Sequence, residues 1–122
     1  MAAVLSSKIQ TRPLSPNIGA EILGVDLTKP IDAATATAIR DVWYANNIVL
    51  FRNQNISEED QVRFARLFGE LGQVINKHAG VSKHHPGVMF ISNIKENGEL
   101  IGALPDGEMM FHSDQCYIEM PS

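Results

Sequence analysis

The stretch ANNIVLFRNQNISEEDQVRFARLFG (residues 45–69) carries two kinds of hydrophobic patterning side by side. Ile48-Val49-Leu50-Phe51 is a continuous, β-branched and aromatic run of strand length, which predicts a buried strand. Arg52-Asn53-Gln54-Asn55 is polar and breaks it. Ser57-Glu58-Glu59-Asp60 then resembles a capping box, with Ser57 as N-cap and Asp60 at the third helical position. Two glutamates in the first turn suit the positive end of a helix dipole. The helix is expected to run to about Phe68. Phe64, Leu67, Phe68 and Leu71 form its inward stripe, Arg63 and Arg66 point outward, and Gly69 closes it. A strand followed at once by a capped helix places the chain among mixed α and β folds.

Outward toward the N terminus the same two patterns recur. Asp32 is a good N-cap. Ala33–Asn46 follows as a helix that places Ile39, Val42, Trp43 and Asn46 on one stripe, and Asn46-Asn47 ends it. Ala20–Val25 reads as a strand with Gly24 weakening its interior. Lys8–Leu14 is a short edge strand, since Pro13 is tolerated only at an edge or an end. Toward the C terminus, Gln73–Gly87 is polar and holds His78, His84 and His85. Val88–Ile91 is a strand candidate. Asn97-Gly98 is the strongest hairpin signal, between Ile91–Lys95 and Glu99–Ile101. Met109–Tyr117 is expected as the final strand. The strands are short and do not repeat as βαβ, so an α+β fold is expected rather than a doubly wound sheet.

The 122 residues fit one domain, and 44% hydrophobic with 20% charged residues is a globular composition. A net charge of −4, with scattered lysines and arginines, argues against nonspecific nucleic-acid binding. The single cysteine, Cys116, forms no internal disulfide. Neither a signal peptide nor a membrane-length apolar run is present, so a cytoplasmic location is expected. Nothing in the composition opposes a homo-oligomer.

His112-Ser113-Asp114 carries the chemistry. Residues two apart on a strand share a face, so His112 and Asp114 would aim at one spot if the segment is extended. One imidazole and one carboxylate are two of the three donors of the facial triad of non-heme Fe(II) oxygenases. The plainer alternative is a surface histidine beside a turn aspartate. Cys116 falls on the same face, as a small buried hydrophobe or as a third ligand of a small zinc module. His84 and His85 are adjacent and would point apart on a strand, which favours a polar loop.

Four stretches in order resemble the N-terminal part of the taurine dioxygenase (TauD/TfdA) family of Fe(II)- and 2-oxoglutarate-dependent dioxygenases. They are Pro13–Ile22 with Gly24–Leu27, Ile48–Gln54, Phe64–Leu71, and Phe111–Asp114 with Tyr117 and Glu119-Met120-Pro121. The resemblance implies that residues 1–122 are a single incomplete domain, the front of a double-stranded β-helix, or jelly roll. It implies His112 and Asp114 as iron ligands, with Fe(II) and 2-oxoglutarate as cofactor and cosubstrate. O2 and a small organic molecule would be the other partners, and hydroxylation would release succinate and CO2. Glu108, Asn93, His78 and Phe111 are the candidate substrate contacts. In the taurine-specific member a substrate-contacting histidine follows the Phe-Gly-Glu-Leu segment, and Val74 occupies that place here. Glu108 stands where that enzyme has an asparagine. Both differences make a small sulfonate a poor fit, and the Glu108 carboxylate suits an amine or hydroxyl better. The insertion Glu96–Gly107 is expected to form a lid or pocket wall. Family members are longer, so the chain is expected to be a fragment, inactive alone, lacking the second iron histidine and the arginine for 2-oxoglutarate. The competing expectation is a non-catalytic interaction module that keeps the front half of the fold.

Overall fold

A computed structural model describes residues 9–72, 80–102, 107, 111–113 and 119. The chain divides into two compact units, Met1–Gly69 and Glu70–Ser122. The first contains β1 (Gln10–Pro13), β2 (Ala20–Leu23), α1 (Ala33–Asn46), β3 (Val49–Leu50) and α2 (Glu58–Ala65). The second contains a hairpin of β4 (Lys95–Glu96) and β5 (Glu99–Leu100). Up to the hairpin the order is strand, strand, helix, strand, helix, hairpin, as expected, and the class is α+β. No helix among the described residues is long and apolar enough to cross a membrane.

In the first unit the strand order is β1-β2-β3. β1 runs antiparallel to β2 with Arg12 opposite Glu21, and β2 runs parallel to β3 with Ala20 opposite Val49. β1 is the expected exposed edge, with Pro13 its last residue. β2, in the middle, buries Ala20, Glu21 and Ile22. It stops at Leu23 rather than Val25, because Gly24 takes a left-handed φ of +74° that no ladder accommodates. β3 is shorter and drier only in part. Val49 and Leu50 pair, but both are half-buried and Ile48 is 53% exposed, because β3 is itself an edge. The expected fully buried strand is therefore a half-buried one.

α1 has the bounds read from the sequence. The Asp32 carboxylate accepts the Thr35 amide at 2.9 Å, and Asn47, at φ 64°, donates its amide to the Trp43 carbonyl. The helix packs on β2 and β3 with Ala36 and Ile39 buried, Ile39 to 1% exposure.

α2 opens with the expected capping box: Ser57 Oγ accepts the Asp60 amide at 3.2 Å, and Asp60 Oδ2 accepts the Ser57 amide at 3.0 Å. Its end differs. The helix stops at Ala65 with Arg66 as C-cap, not at Phe68 with Gly69. Leu67 and Phe68 donate instead to the carbonyls of Phe64 and Ala65, tight turns that satisfy the last carbonyls. Val62 is the fully buried residue, and Phe64, Leu67 and Phe68 are half-buried. They join a chain of rings: Phe51 to Phe64 at 5.5 Å, Phe64 to Phe68 at 5.1 Å, and Phe68 to Trp43 at 6.0 Å, all edge-to-face. Arg63 does not point outward. Its guanidinium pairs with Asp60 at 2.7 Å and donates to the Leu27 carbonyl at 2.9 Å.

In the second unit the Asn97-Gly98 hairpin forms as read. Both turn residues have positive φ, 52° and 85°, which is the type I′ geometry matched to strand twist. The strands are only two residues each. Val88–Ile91 is not a full strand: Met89 makes a single antiparallel bridge with Val81. Ser82 Oγ accepts the amides of His84 and His85 at 3.0 and 3.1 Å, so that pair sits in a turn, as expected for a polar loop. Residues 111–113 are not in a strand, and the rest of the expected Met109–Tyr117 strand lies outside the described residues.

Candidate functional site

The residues expected to carry chemistry are spread over the second unit. His112 is exposed, and so are Phe111, at full exposure, and Asn93. Asp114, Cys116, Glu108, His78 and Val74 lie outside the described residues. Among the described residues no three His, Cys, Asp or Glu side chains sit together as a metal-holding group. The donor chemistry nevertheless fits Fe(II): imidazole nitrogen and carboxylate oxygen are the ligand types that non-heme iron takes.

The described residues of this unit line a cleft of about 590 Å³, inside the usual range for small-molecule sites, about 300–1,000 Å³. Its described lining comprises Gly80–His84 and Phe90, the hairpin residues Glu96, Asn97, Glu99 and Leu100, and Ile101. Part of the Glu96–Gly107 stretch thus lines a cleft. Lys83, Glu96 and Glu99 were not singled out by motif. The signal available in sequence was the hairpin itself, whose two-residue turn places Glu96 and Glu99 opposite each other.

The hairpin is held in shape by backbone contact. Ile101 donates its amide to the Ile94 carbonyl at 3.0 Å. Gly102 is buried, and a Cβ there would collide with the backbone nitrogen and carbonyl of Ser92. Only glycine allows so close an approach.

The first unit supplies framework rather than reacting groups. Glu21 is 4% exposed and takes Arg12 Nε at 3.1 Å and Arg52 Nε at 3.4 Å on one oxygen. The Arg12 hydrogen bond, aided by the charges of both guanidinium groups, holds the Glu21 carboxyl below its usual pKa against the opposing effect of desolvation. Gln54 spans two segments. It accepts the Leu27 amide at 2.9 Å and donates to the carbonyls of Val25 at 3.1 Å and Arg52 at 3.0 Å. Arg40 donates to the Leu67 carbonyl at 3.0 Å and lies over the Phe68 ring.

Comparison with known proteins adds the context of this site. The family described as "Taurine catabolism dioxygenase TauD, TfdA family" matches residues 10–122, a span that includes His112 and Asp114. An alpha-ketoglutarate-dependent sulfate ester dioxygenase of Pseudomonas putida is 29% identical over 113 residues, covering 92% of this chain and 34% of that protein. A taurine dioxygenase structure from Burkholderia xenovorans is 38% identical with a TM-score of 0.62, covering 73% of this chain and 31% of the other. The structure of AAD-2 in complex with Mn(II) and N-oxalylglycine is 28% identical with a TM-score of 0.52, covering 53% and 22%. The chain spans about a third of the length of that sulfate ester dioxygenase.

Proposed function

The chain belongs to the taurine catabolism dioxygenase TauD, TfdA family, and from that premise we propose that the whole protein is an Fe(II)- and 2-oxoglutarate-dependent dioxygenase hydroxylating a small organic substrate. The observation that carries this reading is the family match through the His-x-Asp segment. His112 and Asp114 are two of the metal ligands, and the completed fold is the double-stranded β-helix. A cytoplasmic location goes with this reading.

The metal and cosubstrate supply the redox chemistry: O2, 2-oxoglutarate and a substrate C–H become succinate, CO2 and the hydroxylated product. The chain's own part is to hold and orient. His112 offers a neutral imidazole nitrogen, so it binds metal only when deprotonated at that atom. Asp114 offers a carboxylate that offsets part of the cation's charge. Imidazole and carboxylate donors would hold Fe(II) in a site open to small molecules, whereas a thiolate shell would suit a closed structural site. Glu108, Asn93, His78 and Phe111 are the proposed substrate contacts, and an amine or hydroxyl on the substrate suits the Glu108 carboxylate. Residues 1–122 alone are proposed to be inactive, because no histidine follows Asp114 to complete the set.

The test is succinate formation from 2-oxoglutarate by the whole protein with Fe(II). His112→Ala and Asp114→Ala should each abolish it and lower Fe(II) retention at equilibrium. Full succinate yield from either variant would overturn the ligand assignment.

A further inference from the structure

We propose that the cleft walled by residues 80–84 and the β4–β5 hairpin binds a small zwitterion with an apolar middle, of the class of amino acids and their homologues. The proposal does not depend on the iron reading. Three observations support it.

The first is the apolar lining. Phe90 and Leu100 are 41% and 43% exposed, yet both line a concavity together with Val81 and Ile101. Small-molecule clefts are lined mainly by apolar and aromatic side chains with a few polar groups among them.

The second is the distribution of charge. Lys83 and His84 reach the lining from the segment before Phe90, and Glu96 and Glu99 reach it from the hairpin. Among the described residues Lys83, Glu96 and Glu99 form no ion pair. Charges of both signs, carried by different segments around one partly apolar cleft, match a ligand with both a carboxylate and an ammonium group. A purely anionic or purely cationic ligand would leave one set of charges uncompensated.

The third is the register of the hairpin. Glu96 and Glu99 are direct cross-strand partners in a ladder only two residues long. Like charges opposite each other weaken a ladder, and this one has few other pairs to offset the repulsion. An ammonium group seated between the two carboxylates removes that repulsion, so binding should also firm the hairpin.

The experiment follows backbone amide shifts of the full chain during titration with 6-aminohexanoate, and in parallel with hexanoate and hexylamine. The zwitterion should shift residues within 80–84 and 96–101 and slow amide exchange in the hairpin. Each single-charge analogue should bind more weakly. Lys83→Met and Glu99→Gln, both exposed substitutions that leave the backbone hydrogen bonds intact, should each weaken the zwitterion by about fivefold, the scale of one partly exposed ion pair. The Glu99→Gln variant should also show slower hairpin exchange without ligand. Absence of shifts at these residues, equal binding of the three probes, or unchanged affinity in both variants would overturn the proposal.

Discussion

Among the described residues the two units expose equal numbers of large apolar side chains and bury unequal numbers. Among the described residues each leaves six such side chains in water: Leu14, Ile18, Trp43, Tyr44, Ile48 and Ile56 in the first, and Met89, Phe90, Ile91, Ile94, Leu100 and Phe111 in the second. The first also buries Ala20, Ile22, Leu27, Ala36, Ile39 and Val62, whereas the second buries Val88. The same contrast appears in the hydrogen bonds. Gln54, Arg63 and Arg40 each reach 27 or more residues along the first unit to hold a distant backbone group. In the second unit the Ser92 hydroxyl accepts the Ile94 amide, two residues away. The segment proposed to hold the metal lies in the unit that, among the described residues, buries fewer apolar side chains.

That contrast can be broken most forcefully at Ile39. Truncation to alanine removes the most buried large side chain and should cost about 2–5 kcal/mol of global stability, seen as an earlier urea midpoint for the first unit. If Ile39→Ala destabilises by only a few tenths, the core assigned to that unit is wrong. A smaller and more local effect is expected at Gly102. Gly102→Ala forces Ser92 aside and should cost roughly 1–3 kcal/mol, with faster amide exchange confined to residues 92–101. A matching loss of protection in α1 would mean that the hairpin and the first unit unfold together. The smallest effect concerns acid. Glu21, Asp26, Asp32 and Asp60, all in the first unit, have carboxyl pKa values lowered by arginine, threonine or backbone hydrogen bonds. A folded-state pKa below the unfolded one means that the folded state binds fewer protons. The resulting stability is present above the unfolded value, about 4 for these groups, and disappears as pH falls through the lower folded value. Stability of the first unit should therefore fall in that acid range, and Glu21→Gln should flatten the drop. An unchanged acid limb in the Gln variant would remove Glu21 from the account.

Much of the first unit was legible because its signals are local. Asp32, Asn47, Ser57 and Asp60 cap their helices within a few residues, so the bounds of α1 and the start of α2 can be read without knowing the fold. Pro13 announced an edge and Asn97-Gly98 a type I′ turn for the same reason. What could not be read was tertiary. Whether Ile48–Phe51 is covered on both faces depends on what lies beyond β3. Arg63 looks outward by helical periodicity, but its long side chain curls to the Leu27 carbonyl, 36 residues away. Gly24 and Gly69 were weighed by residue type alone. Only the backbone decides that the first ends a strand and the second follows two tight turns. The candidate site was legible as donor types in His112 and Asp114. The cleft was not, because it arises from a bridge between Val81 and Met89 meeting a hairpin, and no motif encodes that meeting.

The span of those long hydrogen bonds has a consequence in time. The farthest-reaching of them joins Leu27 and Arg63, and the sheet, both helices and the ring chain are all complete by Phe68. A ribosome makes the chain from its N terminus, and emerging domains fold in that order. Every contact described within the first unit therefore joins residues synthesised before His112 is added. Translation delivers this sheet, both helices and the ring chain ahead of the segment proposed to hold the metal.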